Sequence, residues 1–350
     1  FNEDEEKHEA HQYCTGNIKP EDIKKLPIIN KKNTYTDTII AEFTDAEFKT
    51  KDGNVSNIKK RECLYDETTS GNFTSKGTIT NKECKIEGLV QNKNYYVKVC
   101  MTSKNDSRAC STPEIVKTKE VKSPSININT NDSIKITYDD TNIIDENGNQ
   151  NGNHYFKSDI NATSNKNVST CNEEGETFSC SSDSTINITE DKWYKVDDKE
   201  VKLSYTNSGD ITIAAVTRDK SGNYKSTDKN YSLYKIIFSR GTADTIGGQT
   251  NDIKKLCLVN KDETCTITSP IIKKAGYNVV GWNTNSSATT SSWNVNISKS
   301  INKSETYFPI VKLKTYTIKY NANGGSGAPS NQVKEHNKNI TLSTSKPIRT

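Results

Sequence analysis

The sequence predicts an all-β to β-rich protein made of several small domains in a row, and three observations support this. The chain has 350 residues, more than one ordinary hydrophobic core organises, so two to four domains are expected. Hydrophobic residues make up only 31% of it, which suits thin cores with much polar surface. The patterned stretches are rich in Thr, Ile, Val and Tyr, residues that favour strands over helices.

Charge and hydropathy argue against nucleic acid binding and against membrane insertion. The 48 basic and 44 acidic residues are interspersed and leave a net charge of +4, with no basic stripe, so nucleic acid is not an expected partner. No apolar run approaches the roughly 20 residues of a membrane-spanning helix, so no direct membrane insertion is expected. We expect a fragment of a longer secreted protein, located at the cell surface.

Nine cysteines indicate the compartment. Paired strands bring Cα atoms within about 6 Å, and close spacing across a turn suits a disulfide, whereas metal sites favour Cys-x-x-Cys pairs with nearby histidines. Buried free thiols are the alternative. Cys14 is left over, and its partner is expected upstream or in another chain. Disulfides typical of extracellular proteins are predicted for four pairs: Cys63 with Cys84, Cys100 with Cys110, Cys171 with Cys180, and Cys257 with Cys265.

Strand and turn signals divide the chain into a tail and four units. Residues 1–25 form an N-terminal tail or the end of a preceding domain, with a possible short helix. A sandwich is expected over 26–121, and a second sandwich follows over 122–232 after a Pro- and Ser-containing linker. Two related segments follow over 233–313 and 314–350. Such domains are expected to share little core.

The first sandwich carries a recognisable corner. Leu89 is followed six residues later by Tyr95 and then by alternating Val97 and Val99. This stretch resembles the fibronectin type III signature. The resemblance implies that Tyr95, Val97 and Val99 are core residues while Lys98 points outward. The usual early core Trp of that family has no match here.

The second sandwich closes with an alternating strand and an Asp-x-x-Gly-Asn turn over 209–223. This segment resembles bacterial immunoglobulin-like domains, which implies an immunoglobulin-like sandwich. Upstream, alternating oxygen-bearing side chains at Asp145, Asn147 and Asn149 make a weak calcium candidate. Its glycine does not stand at the sixth position of a calcium loop, and no Glu stands at the twelfth, so an exposed polar loop is the alternative.

The last two units repeat one pattern. Tyr316 begins a strand that leads to a turn at 323–325, and the preceding copy ends in the Gly-Tyr and Gly-Trp steps of 276–282. These residues resemble the internalin-type B-repeat of bacterial surface proteins, which implies a small β-grasp-like sheet used as a spacer and contact module. Trp282 is expected to be a core residue, with exposure as a sugar platform as the alternative. Under strict alternation, Val280 and Trp282 share one strand face.

No catalytic frame, metal centre or cofactor site is expected. No Gly-x-Ser-x-Gly or nucleotide-binding glycine loop occurs, and His154 and His336 are expected in polar loops. The predicted function is a non-enzymatic adhesin or stalk, whose partner would be a protein or glycan on a host or neighbouring cell. The alternatives are a carbohydrate-binding accessory region of a secreted hydrolase and a host-receptor-binding module.

Overall fold

The computed structural model describes residues 21–349, which form strands and no helix. The all-β fold class is therefore confirmed. The predictions for His8, His11, Cys14 and the short N-terminal helix lie outside the described residues. In the part of the chain that is described, no helix is long and apolar enough to cross a membrane.

The first unit is a sandwich made mostly by one bent sheet. Its strands are β1 (Asp22–Lys25), β2 (Ile28–Thr34), β3 (Ile39–Thr44), β4 (Glu47–Lys49), β5 (Val55–Ser56), β6 (Ile58–Asp66), β7 (Ser75–Thr80), β8 (Glu83–Ile86), β9 (Asn94–Ser103), β10 (Arg108–Cys110) and β11 (Glu114–Lys117). The large sheet is ordered β10-β9-β6-β7-β8-β3-β2, with β11 also on β9, and β1, β4 and β5 form a small sheet.

Strand β7 joins the two halves of this sandwich. It pairs with β6 through its first residues and with β8 through its last. At the crossing stands Gly77, where an added Cβ would lie 2.5 Å from the Lys85 carbonyl oxygen and 2.7 Å from Cys63 Sγ. Only glycine lets the strand pass this close to both neighbours, which explains the residue at this point.

The core of the first sandwich follows the predicted corner. Tyr95, Val97 and Val99 are buried, and the Tyr95 hydroxyl accepts a hydrogen bond of 2.9 Å from the Val90 N–H. Lys98 lies on the opposite face of β9, with Nζ 3.8 Å from the centre of the Phe73 ring. Alternation along β9 therefore separates core from surface as predicted.

The second unit wraps a longer sheet around a separate core. Its strands are β12 (Ser125–Thr130), β13 (Ser133–Thr137), β14 (Gly152–Ser158), β15 (Ala162–Glu174), β16 (Thr177–Ile188), β17 (Lys192–Val196), β18 (Glu200–Ser204), β19 (Gly209–Asp219) and β20 (Tyr224–Phe238). The order is β12-β13-β18-β15-β17-β14-β19-β20, with β16 on β15. The Tyr231 hydroxyl donates 3.0 Å to the Ile126 carbonyl oxygen and fastens β20 to β12.

The third unit continues the sheet of the second. It adds β21 (Thr245–Ile246), β22 (Ile253–Asn260), β23 (Cys265–Thr268), β24 (Ile272–Lys273), β25 (Tyr277–Asn283), β26 (Ser298–Ile301) and β27 (Glu305–Leu313). Strands β22 and β27 both pair with β20, and β25 pairs with β27. The final unit is a two-stranded sheet of β28 (Thr315–Ile318) and β29 (Gln332–Glu335).

Candidate functional site: the junctions between units

A five-residue turn, 219–223, forms the part of the second sandwich that meets the first. The Asp219 carboxylate accepts hydrogen bonds from the backbone N–H groups of Ser221 and Asn223 at 3.0 and 2.9 Å, and from Asn223 Nδ2 at 2.9 Å. Gly222 has a φ of +95°, which glycine adopts readily. The Asp-x-x-Gly-Asn sequence thus fixes its own turn before any contact with the first sandwich.

The Asn223 side chain also forms hydrogen bonds with the backbone of the first sandwich. Its Oδ1 accepts 3.0 Å from the Gln91 N–H, and its Nδ2 donates 2.9 Å to the Leu89 carbonyl oxygen. The Gln91 side chain returns the contact, since Nε2 donates 2.9 Å to the Tyr224 carbonyl oxygen. Each bond is directional, so together they fix the rotation of one sandwich relative to the other.

Two buried carboxylates lie beside this contact, one from each sandwich. Thr36 Oγ1 donates 2.7 Å to Asp219, and Ser221 Oγ donates 2.5 Å to Asp37. Both acids are almost fully shielded from solvent. Burial raises the pKa of Asp219, and the nearby charge of Asp37 raises it further, against the lowering effect of its hydrogen bonds.

The segment predicted as a linker is held by both sandwiches. Val121 is buried, and its N–H donates 2.7 Å to Gln91 Oε1. From the second sandwich, Thr227 Oγ1 donates 2.7 Å to the Pro124 carbonyl oxygen, and Lys225 Nζ lies 2.6 Å from the Glu120 carboxylate. Pro and Ser end the strand pattern as predicted, but the tertiary contacts fix the segment in one conformation.

The calcium candidate forms a second turn of the same kind. The Asp145 carboxylate accepts from the N–H groups of Asn147 and Asn149 at 2.9 and 2.8 Å and from Asn149 Nδ2 at 3.1 Å. These bonds match those of the turn at 219–223, so the alternating Asp and Asn side chains shape a turn. Within residues 21–349 no three His, Cys, Asp or Glu side chains are grouped as metal ligands. Glu146 instead lies 2.7 Å from Lys85 Nζ of the first sandwich.

His154 was expected in a polar loop, and the structure places it, fully buried, on β14. Its Nε2 lies 2.6 Å from the Asp140 carboxylate, its Nδ1 lies 3.1 Å from the Asp198 carbonyl oxygen, and its ring stacks on Tyr138 at 4.3 Å. Both ring nitrogens are thus engaged within the fold. The contact between His154 and Asp140 anchors the loop that carries the turn at 145–149. His336 lies beside Gly276, between the last two units.

The junction between the second and third units is of another type. Strand β20 pairs with β19 over Tyr224–Leu233 and with β22 over Tyr231–Phe238, so one strand serves both units. Leu258 of β22 is buried in the core of the second sandwich, and Leu256 packs against it. The expectation that neighbouring units share little core is wrong at this junction.

Trp282 is a core residue, as predicted. It is 0% exposed, and its Nε1 donates 2.9 Å to the Pro270 carbonyl oxygen. The predicted strict alternation is wrong, because Val280 is an extra residue between the paired Val279 and Gly281. This β-bulge turns the indole into the core, and a Cβ at Gly281 would lie 2.7 Å from the Trp293 carbonyl oxygen.

The structure joins the same four cysteine pairs that the spacing suggested. Cys100 with Cys110 and Cys171 with Cys180 are direct cross-strand neighbours, with Cα atoms 4.0 and 3.9 Å apart. Cys63 and Cys84 instead join β6 to β8 around the intervening β7. This disulfide therefore staples the two halves of the bent first sheet.

Sequence reasoning identified the turn at 219–223 but not its role as a contact, and it missed the twin turn at 145–149. The signal was present, because Asp145-Glu-Asn-Gly-Asn149 and Asp219-Lys-Ser-Gly-Asn223 share the pattern Asp-x-x-Gly-Asn. The positions of Asp37, Gln91 and Leu89 opposite these turns carry no comparable signal. Only the fold brings them together.

Comparison with known proteins finds a family model that is similar to the C-terminal part. The model of the Listeria-Bacteroides repeat domain matches residues 234–307 and 316–350. No curated protein matches the chain.

Two solved structures are similar at low identity. The chain is 16% identical to Clostridium thermocellum CbhA fibronectin(III)-like modules, over 60% of this chain and 91% of that one, with a TM-score of 0.18. It is 14% identical to chitinase ChiA74 from Bacillus thuringiensis, over 59% of this chain, with a TM-score of 0.19. It spans about a quarter (26%) of that chitinase chain. TM-scores this low do not establish a common arrangement.

The repeat match and the four disulfides together indicate an extracellular bacterial protein with surface-type repeats. The expectation of a bacterial surface repeat is confirmed at this level. The internalin type of the repeat and the immunoglobulin-like type of the second sandwich stay predictions.

Proposed function

We propose that this chain is a non-enzymatic stalk of a bacterial surface protein, which holds a binding surface away from the cell. The observation that carries the proposal is the polar contact at Asn223, Gln91 and Leu89, which fixes the first junction in orientation. A flexible tether needs no such bonds. The continuous strand β20 gives the second junction the same rigidity by a different route.

The disulfides support the same proposal. Closing a loop of about ten residues stabilises a fold by roughly 3 kcal/mol in the chain-entropy model. Three of the four pairs close loops of this size, with sequence separations of 10, 9 and 8. Such staples limit local opening in a protein exposed to proteases outside the cell, which suits a stalk.

Small-angle scattering with ensemble fitting tests the rigidity. The unaltered chain is expected to give one narrow distribution of sizes. Gln91→Ala removes contacts from the side of the first sandwich and leaves the turn at 219–223 intact, so a broader distribution is expected. Lys254→Ala, an exposed position in the third unit, serves as the control. A distribution that is already broad in the unaltered chain would refute the stalk.

The alternative is a carbohydrate-binding accessory region of a secreted hydrolase. On the outer face of the second sandwich, the partly buried rings of Phe178 and Trp193 pack on each other beside Tyr155, and such an aromatic cluster favours a sugar ligand in either case. A glycan array on the full chain separates a pure spacer, which binds nothing, from a chain that carries a binding surface of its own.

A further inference from the structure

A disulfide-closed hairpin covers the outer face of the second sandwich. Strands β15 and β16 are joined by Cys171 and Cys180, and Phe178 from this hairpin stacks on Tyr155 of β14 with ring centres 4.1 Å apart. Trp193 meets Phe178 edge-on at 5.1 Å. These residues form a second apolar cluster, separate from the core, on the side of the sheet that faces away from it.

The same cluster positions a carboxylate. Trp193 Nε1 donates 2.7 Å to Glu173 Oε2, so Glu173 is held at the base of the hairpin tip. Tip and sheet border a cavity of about 120 Å³ that is open to solvent on one side, lined by Glu173, Gly175, Glu176, Phe178, Val216, Arg218 and Tyr224. Tyr224 is 45% exposed.

Arg218 lies opposite Tyr224 on the neighbouring strand, so both side chains belong to one sheet face. Arg218 is half-buried, yet its guanidinium makes no hydrogen bond or ion pair with any residue in 21–349. A half-buried guanidinium has five N–H donors to satisfy, and Arg218 lines this cavity. A ligand with acceptor groups would satisfy them.

We infer that this cavity binds a neutral pyranose. Sugar hydroxyls both donate and accept, so they match Glu173 and Glu176 as acceptors and Arg218 as donor. The exposed Tyr224 ring offers an apolar platform for the C–H face of the sugar. A carboxylated sugar would meet two carboxylates, and a cation would meet Arg218, so both are disfavoured. The inference goes beyond the stalk and does not depend on the rigidity of the junctions.

Trp282, the other candidate for a sugar platform, offers no exposed ring. Trp282 and Trp293 are buried in the core of the third unit, at 0% and 4% exposure. Trp193, the remaining Trp of the chain, is half-buried, and its hydrogen bond to Glu173 holds that carboxylate beside the cavity. The cavity also adjoins the first junction, because the Tyr224 carbonyl oxygen accepts from Gln91 Nε2.

Titration of the full chain with methyl glycosides tests the inference, with ligand-observed NMR and calorimetry as readouts. The probes are the methyl glycosides of glucose, galactose, mannose and N-acetylglucosamine. At least one is expected to bind with a Kd in the millimolar range or below, and methyl glucuronide is expected to bind at least about tenfold more weakly than methyl glucoside. Preferential binding of the glucuronide would overturn the neutral-sugar assignment, and no binding of any probe would overturn the site.

Substitutions locate the binding. Tyr224→Ala and Arg218→Ala are each expected to weaken it about tenfold, while Tyr224→Phe keeps the ring and most of the affinity. Tyr316→Ala is the matched control, because Tyr316 is similarly exposed, at 47%, and lies in the last unit. Unchanged circular dichroism establishes that each variant is folded. Equal losses in Tyr316→Ala and Tyr224→Ala, or unchanged binding in Arg218→Ala, would refute the site.

Discussion

The two main junctions of this protein achieve rigidity in opposite ways. The first sandwich meets the second through hydrogen bonds around Asn223 and two buried carboxylates, Asp37 and Asp219. The second sandwich meets the third unit through one continuous strand and the buried Leu258. The hydrogen bonds of the first junction fix the orientation of the two sandwiches, and their strength depends on the protonation of the carboxylates. Apolar burial at the second junction is non-directional, and it couples the stability of the second sandwich to that of the third unit.

The largest expected effect comes from Trp282→Ala. Loss of a buried aromatic costs about 3–5 kcal/mol, and the shared strand β20 should carry part of the damage into the second sandwich. Tyr95→Ala should cost a similar amount in the first sandwich without spreading across the polar junction. Hydrogen exchange resolved by unit measures both. The contrast between the two junctions would be refuted if Trp282→Ala left the amide protection of the second sandwich unchanged. A loss below about 1 kcal/mol in Tyr95→Ala would contradict the burial of Tyr95 in the first core.

Leu258→Ala tests the shared core directly. Leu258 lies on a strand of the third unit but is buried in the core of the second sandwich. A loss of about 2–5 kcal/mol is expected in the free energy of unfolding of the second sandwich, measured by denaturant titration with exchange readout. Ile267→Ala, in the core of the third unit alone, is the control. A larger effect of Ile267→Ala on the second sandwich would contradict the shared core.

Asn223→Ala should weaken the polar junction by about 1–3 kcal/mol and leave the first sandwich folded, because it removes the partners of Gln91 and Leu89 and, within the second sandwich, one hydrogen bond to Asp219. Amide exchange of Gln91, read by NMR, is the measurement, and faster exchange is expected. Ser300→Ala, an exposed position in the third unit, is the control. Unchanged protection at Gln91 would mean that the bond to Asn223 does not hold the junction.

The smallest effect concerns pH. The pKa of Asp219 is raised in the folded protein, so its contribution to stability is full below the unfolded pKa of about 3.9 and is lost as pH rises through the folded value. The hydrogen bond to Lys225 lowers the pKa of Glu120. The stability that this pair contributes is therefore lost only in stronger acid, as pH falls through the lowered pKa. The junction should therefore tighten on mild acidification, seen as a narrower scattering ensemble.

Asp219→Asn is the control for the pH effect, because the amide does not titrate in this range. The variant loses part of the turn's hydrogen bonding, so the comparison is made within each protein across pH. Its ensemble width should stay constant as pH falls from neutral. An equal narrowing in the variant and the unaltered chain would assign the effect to another group.

Local patterns predicted much of this molecule. The corner at Leu89 and Tyr95 follows from short-range alternation, and the cysteine pairs follow from close spacing along the chain, because both depend on neighbours within about twenty residues. The turn at 219–223 was likewise predictable, since Asp219 bonds its own backbone. The same motif at 145–149 was interpreted as a calcium candidate, because oxygen-rich turns and calcium loops share composition.

The sequence by itself determined the β class, the bacterial repeat pattern and the burial of Trp282, each a consequence of residues close together in the chain. Tertiary structure decided what those elements touch. It placed Leu258 in a neighbouring core, buried Asp37 beside Asp219, buried His154 on β14, and placed Arg218 in the lining of a cavity. These outcomes depend on pairs far apart in sequence, and the energy of such a contact exists only after the chain has brought its two sides together.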